Sequence, residues 1–281
     1  MSKNKLFVFA ALILVGLGSL LISQSLQIGK LRFIACDVGQ GDGMLIIAPS
    51  GAEIVVDGGP GSRILDCLSK NMPFWDRKIE LVISTHAQLD HLAGIIETAN
   101  RYEIGMLVTT NIGSSAKFYQ RWQKEIADKK IKVYVTKRGD KITLPGVSLE
   151  VLWPPADKLA QWQKQPPKDL NVTAFVLRLD VGSKCAYLTS DEPFGVLEAI
   201  LDRPCDVLKV AHHGSKTGTS EKLLEQIKPK VAIIQVGKNN SYGHPTPEVL
   251  AMLAKFGVKV LRNDLEGEIE LRVENGEWRI E

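Results

Sequence analysis

Short apolar runs alternate along this chain with stretches of helical period. Leu31–Asp37, Met44–Ala48 and Glu53–Asp57 are strand-length apolar segments separated by glycine-rich turns, and they predict an antiparallel opening. A helix is expected over Ile64–Asn71. Strands at Glu80–Thr85, Ile104–Thr109, Ile131–Thr136 and Val147–Leu152 then alternate with helices at Leu92–Tyr102 and near Ser115–Asp128. The stretch from Pro154 to Leu170 carries four prolines and reads as an irregular excursion. Beyond it, Val172–Asp180, Cys185–Thr189, Val207–Ala211, Val231–Val236, Val258–Arg262 and Ile269–Val273 are strand-like. Helices are expected near Glu192–Leu201, Ser220–Ile227 and Pro247–Phe256. This mixed order predicts two sheets with helices outside them, a layered α/β sandwich.

The N-terminus has a different pattern. Leu6 to Ser23 is a run of eighteen residues without a charge, preceded by Lys3 and Lys5. That is close to the length needed to span a bilayer. Lysines ahead of it favour a cytoplasmic N-terminus and place the rest of the chain outside the membrane. The expected organisation is a cytoplasmic tail at 1–5, a transmembrane anchor or signal segment at 6–25, a linker at 26–30 and one folded domain at 31–281. A cleaved signal peptide, giving a secreted domain, is the rival. Ser23 and Ser25 are small enough for a cleavage site, but no Ala-x-Ala is present.

Composition adds little to this picture. The 281-residue chain leaves ample length beyond the apolar segment for a single domain with a full core. Its net charge of +3 excludes neither nucleic acid nor small substrates. The four cysteines, Cys36, Cys67, Cys185 and Cys205, have no Cys-x-x-Cys spacing and make no zinc knot. Cys36 and Cys185 lie in strand-like runs, where buried free thiols are expected.

Candidate chemistry is concentrated in the histidines. All five fall in three short clusters: His86-Ala-Gln-Leu-Asp90-His91, His212-His213-Gly214-Ser215 and Gly243-His244-Pro245. The first occupies the loop expected at the C-terminal end of the strand Glu80–Thr85, where a rigid sheet can hold side chains toward a ligand. Asp90 and His91 would serve as helix caps if the cluster were only structural. Imidazole and carboxylate together suit zinc, manganese or iron rather than calcium or magnesium.

Six blocks carry a family resemblance: Cys36-Asp-Val-Gly-Gln-Gly-Asp42, Val56-Asp-Gly-Gly-Pro60, Thr85-His-Ala-Gln-Leu-Asp-His91, Leu188-Thr-Ser-Asp191, Asp206-Val-Leu-Lys-Val-Ala-His-His-Gly-Ser215 and Tyr242-Gly-His-Pro245. In this order they resemble the metallo-β-lactamase-fold hydrolases, and most of all the metallo-β-lactamase domain of the ComEC competence (DNA-uptake) proteins. The resemblance implies a four-layer αββα sandwich with one or two divalent ions, zinc or manganese, at one edge. It implies metal ligands at His86, Gln88, Asp90, His91, Asp191 and His213. Asp57 would steady the metal loop from behind.

Gln88 stands where the family has His, or Asp in ComEC-like members, and a neutral amide is a poorer ligand than either. The better-equipped position combines Asp90, His91, Asp191 and His213, the last chosen over His212. The second would hold His86, Asp191 and the Gln88 oxygen. Asp90, His212 and His244 are the catalytic candidates. His212 and His244, with Ser215 and Thr217, would contact substrate, because imidazoles and hydroxyls donate hydrogen bonds to an anionic oxygen.

The resemblance further implies a membrane-anchored, extracytoplasmic phosphodiesterase or nuclease acting on DNA, with a separate ComEC-type channel protein as a possible partner. Between Arg121 and Lys141 there are eight basic residues and three acidic ones, a density that can neutralise phosphates. Phe118, Trp122 and Ile126 share the helical period there, so part of this charge is the solvated face of a helix. Two alternatives stay open. One is a metallohydrolase of another ester or amide, such as a lactone, a phosphocholine ester or a β-lactam. The other is a binding domain that has lost a metal.

Overall fold

The computed structural model describes residues 29–281. The apolar segment at 6–25 lies outside the described residues, and among those described no helix is long and apolar enough to cross a membrane. Two sheets form the centre. The first has the strand order β15-β14-β1-β2-β3-β4-β5-β6. Its members are β1 (Leu31–Ala35), β2 (Gly43–Ile47), β3 (Glu53–Gly58), β4 (Lys78–Ser84), β5 (Glu103–Thr109), β6 (Val133–Val135), β14 (Ile269–Glu274) and β15 (Glu277–Ile280). The second runs β13-β12-β11-β10-β9-β8-β7. It contains β7 (Lys141–Leu144), β8 (Val147–Trp153), β9 (Val176–Val181), β10 (Lys184–Leu188), β11 (Val207–Lys209), β12 (Val231–Ile234) and β13 (Lys259–Arg262).

Side chains alternate across each sheet, as the two-residue period of a strand requires. Phe33, Met44, Ile46, Ile54, Val56 and Ile83 face Leu149, Val151, Leu177, Leu179 and Ile233 of the other sheet in one shared core. Their neighbours Ile34, Leu45, Val55 and Val82 face outward, against α1 (Arg63–Asn71), α2 (Leu89–Arg101) and Trp122 of α3 (Lys117–Asp128). On the far side Val176, Tyr187, Leu208, Ala232 and Ile234 pack against α5 (Phe194–Ile200), α6 (Glu221–Ile227) and α7 (Pro247–Lys255). Buried on both faces, these strands are continuous apolar runs in the sequence. The result is the expected layering of helix, sheet, sheet and helix.

Several local differences separate structure from expectation. The proline-rich excursion contains α4 (Ala156–Lys164), which buries Leu159 and Trp162. Pro155 takes the cap position, where a missing N–H costs nothing. The segment expected to extend from Val172 begins its strand only at Val176, after a tight turn at Asn171–Thr173. The cysteines are paired rather than free: Cys36 with Cys67 and Cys185 with Cys205, at Cα separations of 5.7 and 5.2 Å. Cys36, just after β1, meets Cys67 of α1, and Cys185 of β10 meets Cys205 of the segment ahead of β11, proximities that linear spacing does not reveal.

A short helix, α8 (Asn263–Glu266), follows β13 and leads into β14. Close backbone approach fixes the site edge. A Cβ at Gly94 of α2 would lie 1.8 Å from the Gly58 carbonyl oxygen at the end of β3. One at Gly41, whose φ is +147°, would lie 2.1 Å from the Asp90 carbonyl oxygen. Glycine at these two positions lets α2 and the Asp90 turn sit directly against the sheet.

Candidate metal centre

The candidate residues gather at the C-terminal ends of the central strands. Asp57 closes β3, Thr85 and His86 follow β4, Asp191 follows β10, and His212 and His213 follow β11. β3 and β4 are parallel, as are β10, β11 and β12, so these ends open on one crevice. Asp57, Ser190, His212 and His213 all have positive φ, between 47° and 55°. Such conformations cost of order 1–3 kcal/mol each in non-glycine residues and persist where surrounding structure imposes them.

Four side chains converge. Asp90, His91, Asp191 and His213 each offer one ligand atom, all within 4.8 Å of one another. His91 Nε2 lies 3.4 Å from Asp191 Oδ2, and His213 Nε2 is 3.4 Å from Asp90 Oδ2 and 3.6 Å from Asp191 Oδ2. Both imidazoles are held from behind. His91 Nδ1 lies 2.8 Å from Asp57 Oδ2, and His213 Nδ1 2.9 Å from the Gln235 carbonyl oxygen. Each Nδ1–H therefore donates backward and leaves Nε2 facing the cluster.

The arrangement fits a divalent cation on its own terms. The Nε2 atoms of His91 and His213 and both oxygens of Asp191 are buried without hydrogen-bond partners. Unpartnered buried polar atoms aimed at one point call for a ligand. Burial opposes the ionisation of Asp191, but His213, His91 and Lys209 outweigh it and hold the carboxyl well below its usual range. Burial likewise opposes charge on His213, but Asp191, Asp42 and Asp90 push it up to about 9. Protons on the imidazoles thus supply the positive charge that a cation would replace.

His86 stands apart from this group of four. Its ring centroid is 4.2 Å from that of His91, and burial, followed by the nearby His91, pushes its pKa down to about 3. The Thr85 hydroxyl donates to Asp57 Oδ2 at 2.7 Å and lies 3.0 Å from His86 Nδ1. Its oxygen can therefore accept the Nδ1 proton, leaving His86 Nε2 buried and unpartnered. Gln88 sits at the cap of α2 and lines the cleft. Neither His86 nor Gln88 belongs to the group of four whose ligand atoms converge.

The cleft over the cluster is lined by Gln40, Gln88, Asp90, His212, Tyr242 and His244, among others. The rings of His212 and His244 are 5.6 Å apart, and Asn240 clamps the His244 backbone through bonds of 2.8 and 3.1 Å. Burial lowers both histidines below their ordinary value, so each presents a neutral imidazole at pH 7. Ser215 and Thr217 do not join them. Their hydroxyls lie 3.2 Å from each other, outside the residues that line the cleft.

Three further residues complete the site that sequence reasoning did not assign. Lys209 and Asp42 are fully buried and ion-paired, with Asp42 Oδ1 3.3 Å from His213 Nδ1. Gln235 supplies the carbonyl behind His213, and its amide donates to the Gly43 carbonyl at 2.8 Å. A lone lysine inside the apolar run Val207-Leu-Lys-Val-Ala is a signal that could have found the first of them.

No family model matches the chain. It is 30% identical to ComE operon protein 3 of Bacillus subtilis over 266 residues, covering 85% of this chain and 32% of that protein. It is 28% identical to Recombination protein 2 of Haemophilus influenzae, covering 84% of this chain and 28% of that protein. The chain therefore spans about a third of the length of these relatives. Among solved structures, the metallo-β-lactamase fold protein YhfI from Bacillus subtilis superposes with a TM-score of 0.58 at 14% identity, covering 83% of this chain and 96% of that one. That likeness establishes the fold.

Proposed function

We propose that this chain, which has the metallo-β-lactamase fold and is a relative of the ComEC-type competence proteins, is a metal-dependent phosphodiesterase acting on DNA outside the membrane. The observation that carries this reading is the convergence of the unpartnered His91, His213 and Asp191 atoms with Asp90. Four ligands here, against a depleted second position, favour one tightly held ion, with zinc and manganese as the metals its imidazole and carboxylate donors suit. When bound, a divalent cation supplies Lewis acidity and a nucleophile from water.

The chain's own residues do the rest. Asp57 and Gln235 fix the tautomers of His91 and His213. His212 and His244, lining the cleft, donate hydrogen bonds to the non-bridging phosphate oxygens. A bound phosphodiester anion favours their imidazolium forms, so one of them can pass a proton to the leaving oxygen. Ser215 and Thr217 stay outside this set, and Gln88 serves the cleft wall before it serves a metal.

The DNA reading draws on the relatives, one of them named Recombination protein 2. The extracytoplasmic reading draws on the apolar segment at 6–25 and on two cysteine pairs, a feature of oxidising compartments. A separate channel protein is the partner beside which such an enzyme would act. The test is turnover of single- and double-stranded DNA, a bis-aryl phosphodiester and a lactone by zinc- or manganese-loaded protein, with Asp191→Ala as control. Phosphodiester cleavage lost in the control supports the reading. Bound metal with turnover only of the lactone transfers it to another ester, and absence of bound metal leaves a binding domain.

A further inference from the structure

A second cavity, of about 290 Å³, shares the 86–90 loop as a wall with the catalytic cleft. His86 and Ala87 line it at one end. Thr110 and Asn111 just beyond β5, Tyr119, Trp122 and Gln123 of α3, and apolar side chains that include Ile126 line the rest. It is thus walled by two aromatic rings and by hydroxyl and amide groups, within one imidazole width of the candidate metal centre. Its size is at the low end of the ~300–1,000 Å³ typical of small-molecule clefts, enough for one planar heterocycle and too little for a base pair.

The surface that leads to it carries the right charge. Of the eight basic residues between 121 and 141, Arg121, Lys124, Lys129 and Lys137 pair with Glu97, Asp128, Glu125 and Asp140. Lys130, Lys132, Arg138 and Lys141 form no ion pair among the described residues and are exposed. These four free charges lie beyond the end of α3 and flank an edge strand whose Val133, Tyr134 and Val135 are 39–43% exposed. Lysines beside exposed apolar and aromatic side chains make a surface for a polyanion that also offers flat rings.

We propose that this cavity seats one unstacked base of a single-stranded polynucleotide whose neighbouring phosphodiester lies at the metal centre, with β6 and its flanking lysines carrying the strand away. The proposal rests on the phosphodiesterase reading and specifies its substrate. A base enters such a cavity only when free of its partner, and unpairing costs a few kcal/mol, so single strands are bound ahead of duplex. Asn111, at a φ of 53°, and Gln123 supply the amides at the mouth.

The test measures binding and turnover separately on the full chain. In EDTA, fluorescein-labelled oligothymidylate is compared by anisotropy with a hairpin duplex and with an abasic strand of equal length. With manganese, kcat/KM is measured for the oligonucleotide and for bis(p-nitrophenyl) phosphate. Loss of stacking on an aromatic wall should weaken binding of the abasic strand by about tenfold. Gln123→Ala combined with Asn111→Gly, which keeps the left-handed backbone, should lower the ratio of oligonucleotide to bis-aryl ester turnover by a similar factor. Lys228→Ala, on α6's far end, should leave that ratio unchanged. Base-dependent binding without turnover of either ester retains the base seat and overturns the phosphodiesterase reading. Equal binding of abasic, single-stranded and duplex probes, or a dimer of the chain that Tyr134→Lys dissolves, overturns the base seat.

Discussion

The ammonium of Lys209 contacts the carboxylate of Asp42, and both side chains are fully enclosed. The same ammonium donates to the Ser190 carbonyl at 3.0 Å and lies 3.9 Å from Asp191 Oδ1. β11 thereby places a fixed positive charge beside a cluster that gathers the carboxylates of Asp42, Asp57, Asp90 and Asp191. Lys209→Met leaves Asp42 buried without its counter-charge and should cost about 3–5 kcal/mol of stability. Adding Asp42→Asn should recover part of that loss. Urea denaturation of the two single variants and the double variant measures the coupling, and additive losses would show that the two groups stabilise the fold independently.

Asp57 lies outside the group of four, yet its carboxylate sets the ring of His91, which belongs to it. Burial raises its pKa, while the His91 imidazole and the Thr85 amide oppose that rise. Asp57→Asn keeps a residue type that tolerates the φ of 54° but replaces one carboxylate acceptor with an amide. Metal affinity should fall about 10–100-fold, the usual effect of removing a group that orients a ligand histidine. Titration calorimetry with zinc reads this directly. Unchanged affinity would mean that packing alone orients His91.

These two residues also mark how far the sequence can be read. Neighbouring strand positions such as Phe33/Ile34 and Met44/Leu45 point to opposite faces, and because both faces are buried the strands are unbroken apolar runs visible in the sequence. Asp90, His91, Asp191 and His213 stand out in the sequence as the better-equipped metal position, and the fold brings those four together. Lys209 is visible only as a lone lysine in an apolar run, with nothing to indicate its role, and Gln235 does not stand out, since the partners of both come from distant segments. Helix α4 is hidden by prolines at its entrance, and β7 and β15 by partly exposed side chains. The pairs Cys36–Cys67 and Cys185–Cys205 arise from tertiary approach across 31 and 20 residues.

A carboxyl far from the cleft should govern part of the pH dependence of stability. Burial, reinforced by the adjoining Glu80, pushes Glu53 up to about 8 from its ordinary 4.5. The folded chain then binds a proton in that window which the unfolded chain has released, so stability is full below about 4.5 and declines as pH rises through 8. Glu53→Gln removes the titration. The variant should gain on the order of 1–3 kcal/mol over the parent at pH 9, with the difference shrinking toward pH 5. Parallel denaturation curves for the two proteins across pH 5–9 would place the dependence in another group.

The Cys36–Cys67 bridge should support both the fold and the metal centre. It ties the residue after β1 to α1 across a separation of 31 residues, and loop-closure arguments assign such a link about 3–4 kcal/mol. In a domain of this size that corresponds to a loss of roughly 6–16 °C in Tm on removal. The link also bears on chemistry, because the Cys36 carbonyl accepts from the Gln235 side chain at 3.3 Å while the Gln235 main-chain carbonyl accepts from His213. Cys36→Ala with Cys67→Ala should therefore lower Tm and weaken zinc binding together. Removing Cys185 and Cys205, which fasten β10 to the segment ahead of β11, should lower Tm alone. Calorimetric melting and zinc titration of both double variants separate these effects: an equal loss of zinc affinity in both would mean that general loosening, and not the Cys36–Gln235–His213 chain of contacts, weakens the site.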